Sequence, residues 1–199
     1  MAREIDFFFD FSSPYAYLAS TRIDAVAAKH GRTVRWRPFL LGAVYKATGY
    51  HPLEQPAKRQ YFLRDLPRSA RLFGVKLAVP PTFPENLLAA SRATYWIADQ
   101  DAAKAGAFAK AAFAAYWAEG RKLADPEVVA MLAVEQGFPR ETILAALSDQ
   151  KIKDRLKSET DAALAAGIFG SPVTIVDGEP FWGSDRLEQV DRWLAVGGW

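Results

Sequence analysis

Apolar and aromatic side chains fill positions 5–11 on both faces, interrupted only by Asp6 and Asp10, as expected of a strand buried in a mostly parallel sheet. From Pro14 the period lengthens. Ala16, Ala19, Ile23 and Val26 recur on one helical face and Gly31 follows as a stop signal, predicting a helix over 14–30. Polar and apolar residues then alternate through Thr-Val-Arg-Trp-Arg-Pro, predicting a second strand over 33–38, parallel to the first by the crossover rule. Together these make one βαβ unit.

From about 41 to 157 the pattern offers no strand, only helical stretches punctuated by Pro, Gly and Asp. The clearest helix is predicted over 101–119, where Ala105, Phe108, Ala109, Ala112, Phe113, Tyr116 and Trp117 repeat at three and four residues. Those aromatic residues suit a ligand-binding wall as well, but at this spacing they read as ordinary helix packing. Further helices are predicted at 56–73, 85–100, 126–137, 140–148 and 151–166, separated by breakers such as Val79-Pro80-Pro81 and Gly137-Phe138-Pro139.

The last forty residues are mixed. Val173 to Val176 is a short β-branched run, Asp177-Gly178 is a hairpin signal, and 179–182 can pair back antiparallel. Asp185 stands three residues before Glu188, an acidic version of the capping box, ahead of a final helix over 185–196. The order βαβ, helical insert, ββα describes an α/β chain: a thioredoxin-like fold with an inserted all-helical subdomain. Residues 1–40 plus 158–199 form the thioredoxin-like domain on this reading, and 41–157 the insertion.

Composition narrows the chemistry. The 199 residues are 50% hydrophobic, enough to build a sizeable core without metals or disulfides. Twenty-five basic and 23 acidic side chains leave a net charge of +2 with no basic cluster, which argues against a nucleic-acid partner. There is no cysteine, so a dithiol mechanism carried by the protein is excluded and any thiol must come from a bound molecule. Met1 to Glu4 runs straight into the first strand without a hydrophobic signal region, and no apolar stretch is long enough to span a bilayer. A cytoplasmic location is expected.

Three segments are candidates for chemistry. Ser13, followed by Pro14, sits where a helix N-cap belongs, and the bland reading is that it satisfies one orphan amide. Its position invites more. Ligands of α/β sheets bind beyond the carboxyl ends of the strands, and a helix N-terminus favours an anion such as a thiolate, to which a serine can donate a hydrogen bond. In Gly170-Ser171-Pro172-Val173, proline opens a strand; a cis peptide there would free the Ser171 backbone to pair with an extended peptide ligand. Trp182-Gly183-Ser184-Asp185 gathers a hydroxyl, a carboxylate and helix-start amides, and reads equally well as a plain cap.

The ordered set of segments resembles the family of 2-hydroxychromene-2-carboxylate isomerases and kappa-class glutathione transferases, the DsbA-like branch that carries serine where redox members carry cysteine. It runs through Phe9-Asp10, Ser13-Pro14-Tyr15, Tyr17-Leu18-Ala19, Leu41-Gly42-Ala43-Val44 and Lys46-Ala47-Thr48-Gly49. It continues with Pro56-Ala57-Lys58, Tyr61, Phe169-Gly170, Pro172 and Trp182-Gly183-Ser184-Asp185-Arg186-Leu187, covering nearly the whole chain. The resemblance implies that glutathione lies across the thioredoxin-like domain, its sulfur hydrogen-bonded by Ser13 and its cysteinyl backbone paired with Ser171 beside Pro172. The γ-glutamyl end would meet Ser184 and Asp185 next to Trp182 and Gly183, and Lys58 would help hold the tripeptide. Lys58 also reads as a solvated helix lysine. Two residues depart from the family pattern: Tyr50 stands where asparagine is frequent, and Ser171 where valine is usual.

The implied reaction interconverts 2-hydroxychromene-2-carboxylate and trans-o-hydroxybenzylidenepyruvate, a step of aromatic catabolism, by reversible thiol addition. Ser13 and the helix N-terminus would stabilise the thiolate, since free thiols ionise near pH 8.5 and need help at neutral pH. The substrate is thus a small aromatic carboxylate, for which Lys46 is the first candidate partner and Arg92 the second; both also read as surface charges. The resemblance further implies a homodimer. Two other functions stay open. A kappa-type transferase would use the same Ser13, and a non-catalytic glutathione- or peptide-binding module would retain the fold without turnover. A serine hydrolase is disfavoured, because neither His30 nor His51 is an evident partner for Ser13 and no nucleophile elbow is present.

Overall fold

A computed structural model describes residues 4–49, 51–81 and 83–199; the sequence readings over Met1 to Arg3 and at Tyr50 lie outside them. In chain order the elements are β1 (Glu4–Phe9), α1 (Pro14–Ser20), α2 (Ile23–Lys29), β2 (Thr33–Pro38), α3 (Leu41–Thr48) and α4 (Pro56–Leu72). They continue with α5 (Leu88–Gln100), α6 (Ala102–Trp117), α7 (Pro126–Glu135), α8 (Arg140–Ser148) and α9 (Gln150–Ala165). The hairpin β3 (Val173–Val176) and β4 (Glu179–Trp182) follows, then a 3-10 turn at Ser184–Arg186 and α10 (Leu187–Val196).

The four strands form one sheet in the order β2-β1-β3-β4 in which, among the described residues, only the β1–β2 pairing is parallel, which corrects the expectation of a mostly parallel sheet around the first strand. β1 runs parallel to β2, pairing Phe7 with Trp36, and antiparallel to β3, pairing Phe8 with Val173. Among the described residues every strand comes from the two ends of the chain, and 41–157 contributes helices. The main core joins the two regions: Phe7, Phe9, Phe11 and Trp36 pack with Phe108, Phe113, Tyr116 and Trp117 of α6. The α6 stripe is therefore core, and it also reaches the end of β1, where the buried Trp117 indole donates to the Phe11 carbonyl at 2.9 Å. The opposite face of the sheet is covered by Phe39, Leu41, Val44, Ala163 and Ile168 around Phe8 and Val173. α9 runs without interruption across the expected boundary at 157.

Four local expectations are corrected. The first strand stops at Phe9, because Asp10 opens a turn: the Ser13 amide donates to the Asp10 carbonyl at 2.9 Å. The helix expected over 14–30 divides after Ser20, where the hydroxyls of Ser20 and Thr21 bond back to the carbonyls of Tyr17 and Leu18, at 2.7 and 2.8 Å, in competition with the helical ladder. The Asp185 cap does not form. Neither the 3-10 turn nor α10 has a side-chain cap, and the Asp185 carboxylate lies instead over the Gly183 backbone. The 85–100 helix begins only at Leu88. α3 has no counterpart among the separately predicted helices, and it ends on Gly49 at φ +65°, a left-handed C-cap.

Candidate functional site

Ser13 is the N-cap of α1, extended at φ −90° and ψ 112°, with Pro14 at the first helical position. Its Oγ accepts from the Ala16 amide at 3.2 Å, so the capping role is real. The same Oγ donates to the main-chain carbonyl of Ser171, 158 residues away, at 2.9 Å. Ser13 is buried, and the Ser171–Pro172 peptide is cis. Two candidates that only position in the chain suggested thus stand in direct contact.

The third segment joins them through the backbone: the Gly183 amide donates to the Pro172 carbonyl at 3.0 Å. Gly183 has φ +115°, open to glycine but strained for other residues, and a Cβ there would meet the Asp185 carboxylate at 2.4 Å. Glycine thus lets the Asp185 side chain lie against the turn. Ser184 is buried, and its hydroxyl makes no hydrogen bond among the described residues. An unpaired hydroxyl beside an exposed carboxylate suits a zwitterionic end group. Trp182 is half exposed. Its indole packs edge-on to Phe169 at 4.8 Å and lies where a Cβ on Gly170 would stand, so Gly170 is required by that packing.

The remaining candidates stand further out. Lys58 lies exposed on the first turn of α4, and Lys46 exposed on the last turn of α3. Arg92 is not brought to this group. Its guanidinium donates to the Leu147 carbonyl at the end of α8, at 3.4 Å, and its Nε is buried without a partner. Burial also lowers the Arg92 pKa from its ordinary value. His30 is held by Asp191 of α10 at 2.6 Å, and His51 packs on the Tyr45 ring, so neither partners Ser13.

Two groups escaped sequence reasoning. The first is Asp10, whose Oδ1 accepts from the Ser12 amide and Ser12 hydroxyl, both at 2.8 Å, while its Oδ2 accepts from the Leu41 amide at 2.7 Å. Its main-chain amide donates to Ser171 Oγ at 2.9 Å. Burial pushes its carboxyl above the ordinary aspartate value, against the opposing pull of those donors from Leu41 and Ser12. The available signal was an aspartate closing an apolar strand two residues before a serine, the pattern of an Asx turn. The second group is Tyr15 with Asp65. Tyr15 donates to Asp65 Oδ2 at 2.7 Å, and Tyr61 and Arg68 donate to Oδ1. Although burial works to raise it, Asp65 is held below the ordinary carboxylate value by Tyr15, Arg68 and Tyr61. This cluster ties α1 to α4 beside Ser13.

Among the described residues no group of His, Asp and Glu could hold a metal ion, and no helix is long and apolar enough to cross a membrane. What the site offers is a hydroxyl donor at a helix N-terminus, an adjoining carbonyl beside a cis proline, and the Ser184 hydroxyl just past β4. With no cysteine in the chain, these groups suit the binding and ionisation of a thiol brought from outside.

The DSBA-like thioredoxin domain model matches residues 4–195. The chain is 31% identical over 190 residues to the 2-hydroxychromene-2-carboxylate isomerase of Pseudomonas putida, covering 94% of this chain and 92% of that protein. It is 29% identical to glutathione S-transferase kappa 1 of Caenorhabditis elegans, covering 94% and 88% respectively. A solved structure of a 2-hydroxychromene-2-carboxylate isomerase superposes with a TM-score of 0.87 at 29% identity, over 96% of this chain and 94% of that one.

Proposed function

The chain belongs to the DsbA-like thioredoxin family and, within it, to the family of 2-hydroxychromene-2-carboxylate isomerases and kappa-class glutathione transferases, and we propose that it is a glutathione-dependent isomerase of this kind. Its reaction would interconvert 2-hydroxychromene-2-carboxylate and trans-o-hydroxybenzylidenepyruvate. The observation that carries the reading is the Ser13 hydroxyl, 2.9 Å from the Ser171 carbonyl at the head of α1. Glutathione, when bound, would supply the thiolate that adds reversibly to the conjugated double bond.

The residues present fit that ligand. Ser171 offers its carbonyl to a peptide N–H beside cis Pro172, and Ser184 with Asp185 faces the γ-glutamyl group next to Trp182 and Gly183. Lys58 attracts a carboxylate from the first turn of α4. Ser13 turns its hydroxyl hydrogen from the Ser171 carbonyl to the sulfur, while the Ala16 amide continues to hold its oxygen. On this reading Ser13 stabilises a borrowed thiolate and is not itself the nucleophile. A charge-assisted hydrogen bond of about 1.5–3 kcal/mol corresponds to lowering the thiol pKa by about 1–2 units.

The helical segment 41–157 is taken as the part that recognises the acceptor. Lys46 is the cation assigned to the substrate carboxylate, because it is exposed on the helix whose first amide Asp10 holds. Arg92 is engaged elsewhere. A small aromatic substrate, a cytoplasmic location, a role in aromatic catabolism and a homodimer belong to the same reading; sedimentation tests the last.

The deciding assay is isomerisation of 2-hydroxychromene-2-carboxylate with and without glutathione, in wild type and Ser13→Ala. Wild type is expected to need glutathione, and Ser13→Ala to lose about tenfold or more in kcat/KM at pH 7, recovering as pH rises toward the free-thiol value near 8.5. Full activity of Ser13→Ala without glutathione sinks the mechanism. Conjugation of glutathione to an electrophile, without isomerisation, would identify the transferase instead.

A further inference from the structure

Asp10 is a buried carboxylate with no part in the roles above, although it touches the Ser13 turn, Ser171 and the start of α3. Through its side chain it holds Ser12 and the first amide of α3; through its main chain it holds Ser13 and Ser171. We propose that Asp10 is a positioning residue for the thiol site, setting the Ser13 hydroxyl and the Ser171 carbonyl at the separation at which both can serve one ligand. The proposal rests on the thiol reading of that site.

The donors around Asp10 call for two acceptor oxygens. The Ser12 amide and hydroxyl approach one oxygen, and the Leu41 amide approaches the other. All three are donating to it. Only a group with two acceptor oxygens answers both sides; an asparagine has one, so it can serve Ser12 or Leu41 but turns an NH2 toward the other. A simple Asx turn would need only the Ser12 contacts, and a neutral side chain could make them without burying a charge. The second oxygen therefore has a separate task, which is to fix the start of α3 against the turn.

The main-chain bonds extend the same anchor. Ser13 is held by its amide to the Asp10 carbonyl at 2.9 Å, and Ser171 by its Oγ from the Asp10 amide at 2.9 Å. The two partners of the 2.9 Å Ser13–Ser171 contact thus hang from one residue. A preorganised site needs this kind of support, because small displacements of the donor weaken a hydrogen bond to an anion steeply. Asp10 acts through Ser13 and does not itself touch the ligand.

The test is a double-mutant cycle of Asp10→Asn with Ser13→Ala, with Ser12→Ala as a milder variant that keeps the carboxylate. Bound glutathione is titrated by its thiolate absorbance, and kcat and KM are measured alongside thermal melts. Asp10→Asn is expected to raise the bound thiol pKa by about one unit and to lower kcat about three- to eightfold at pH 7, the fall in thiolate fraction that this shift produces. In the Ser13→Ala background the same change should cost less than about twofold, because the two residues act as a unit. Ser12→Ala should shift the thiol in the same direction by less.

The proposal is overturned if folded Asp10→Asn and Ser12→Ala both leave the thiol pKa and kcat as in wild type. It is overturned equally if Asp10→Asn costs as much without Ser13 as with it, the mark of a purely structural role. Wild type that binds no glutathione refutes the thiol reading itself. Asp10 is then judged by hydrogen exchange, where an unchanged Ser13 amide in Asp10→Asn removes the positioning role and about tenfold faster exchange supports it.

Discussion

Gly106 lies inside α6 with ordinary helical geometry, and a helix-interior glycine usually gains about 1 kcal/mol on replacement by alanine. Here the opposite is expected. A Cβ at 106 would stand 2.7 Å from Trp36 Nε1, 3.0 Å from Cδ1 and 3.3 Å from Cε2. Carbon contacts are comfortable at about 3.5–4.0 Å, so the indole must retreat by roughly 0.5–1 Å. It has little room to do so, being 6% exposed and edge-packed against Phe7 at 5.1 Å and Phe9 at 5.6 Å. Overpacking of this kind costs about 1–3 kcal/mol, which after the helix gain leaves a net loss of about 1 kcal/mol. In a chain of this size that is a fall of about 2–4 °C in Tm. Thermal and urea unfolding of Gly106→Ala measure it directly. Repeating the change in a Trp36→Phe background removes the indole edge, and there alanine should stabilise. A Tm that rises in the wild-type background would refute the reasoning, since the clash would then be absorbed at no cost.

Gly183→Ala is expected to be harmful for a different reason, because φ +115° and the overlap with the Asp185 carboxylate both oppose a methyl group. On the glutathione reading it should weaken binding about tenfold or more, from loss of one charged contact, as titration calorimetry would show; unchanged affinity would remove Asp185 from the site. Asp191→Asn should lower stability modestly at neutral pH, by about 1 kcal/mol or less for a pair this exposed. Lys29 and His30 hold Asp191 below the ordinary carboxylate value, so its contribution is present above that value and fades as pH falls through the lowered one. Melts of wild type and Asp191→Asn should therefore differ at pH 7 and converge toward pH 3; a gap that widens on acidification would reverse the sign.

Much of the fold was legible because it rests on short-range periodicity. The alternation at 33–38 and the Asp177-Gly178 turn placed β2 and the β3–β4 hairpin, and the three-and-four spacing from Ala105 to Trp117 placed α6. Boundaries were less legible where side chains compete with the ladder, as Ser20 and Thr21 do between α1 and α2, or where a side chain folds back on the preceding turn instead of capping, as Asp185 does over Gly183. The site divides in the same way. Ser13 as an N-cap followed from Ser-Pro at the head of an amphipathic run.

The sequence by itself determined which residues could cap, turn, pair and fill a core, because those properties act over a few neighbouring positions. It also excluded a thiol of the protein's own, since composition needs no structure. Only the tertiary structure decided that Ser13 faces Ser171 across 158 positions, that Gly183 bonds to Pro172, and that Arg92 is taken up by α8. It alone showed Asp10 as the common anchor. Such contacts depend on the path of the whole chain through the sheet, and an aspartate at the end of a strand looks the same in sequence whether it meets solvent or a buried amide from the next helix.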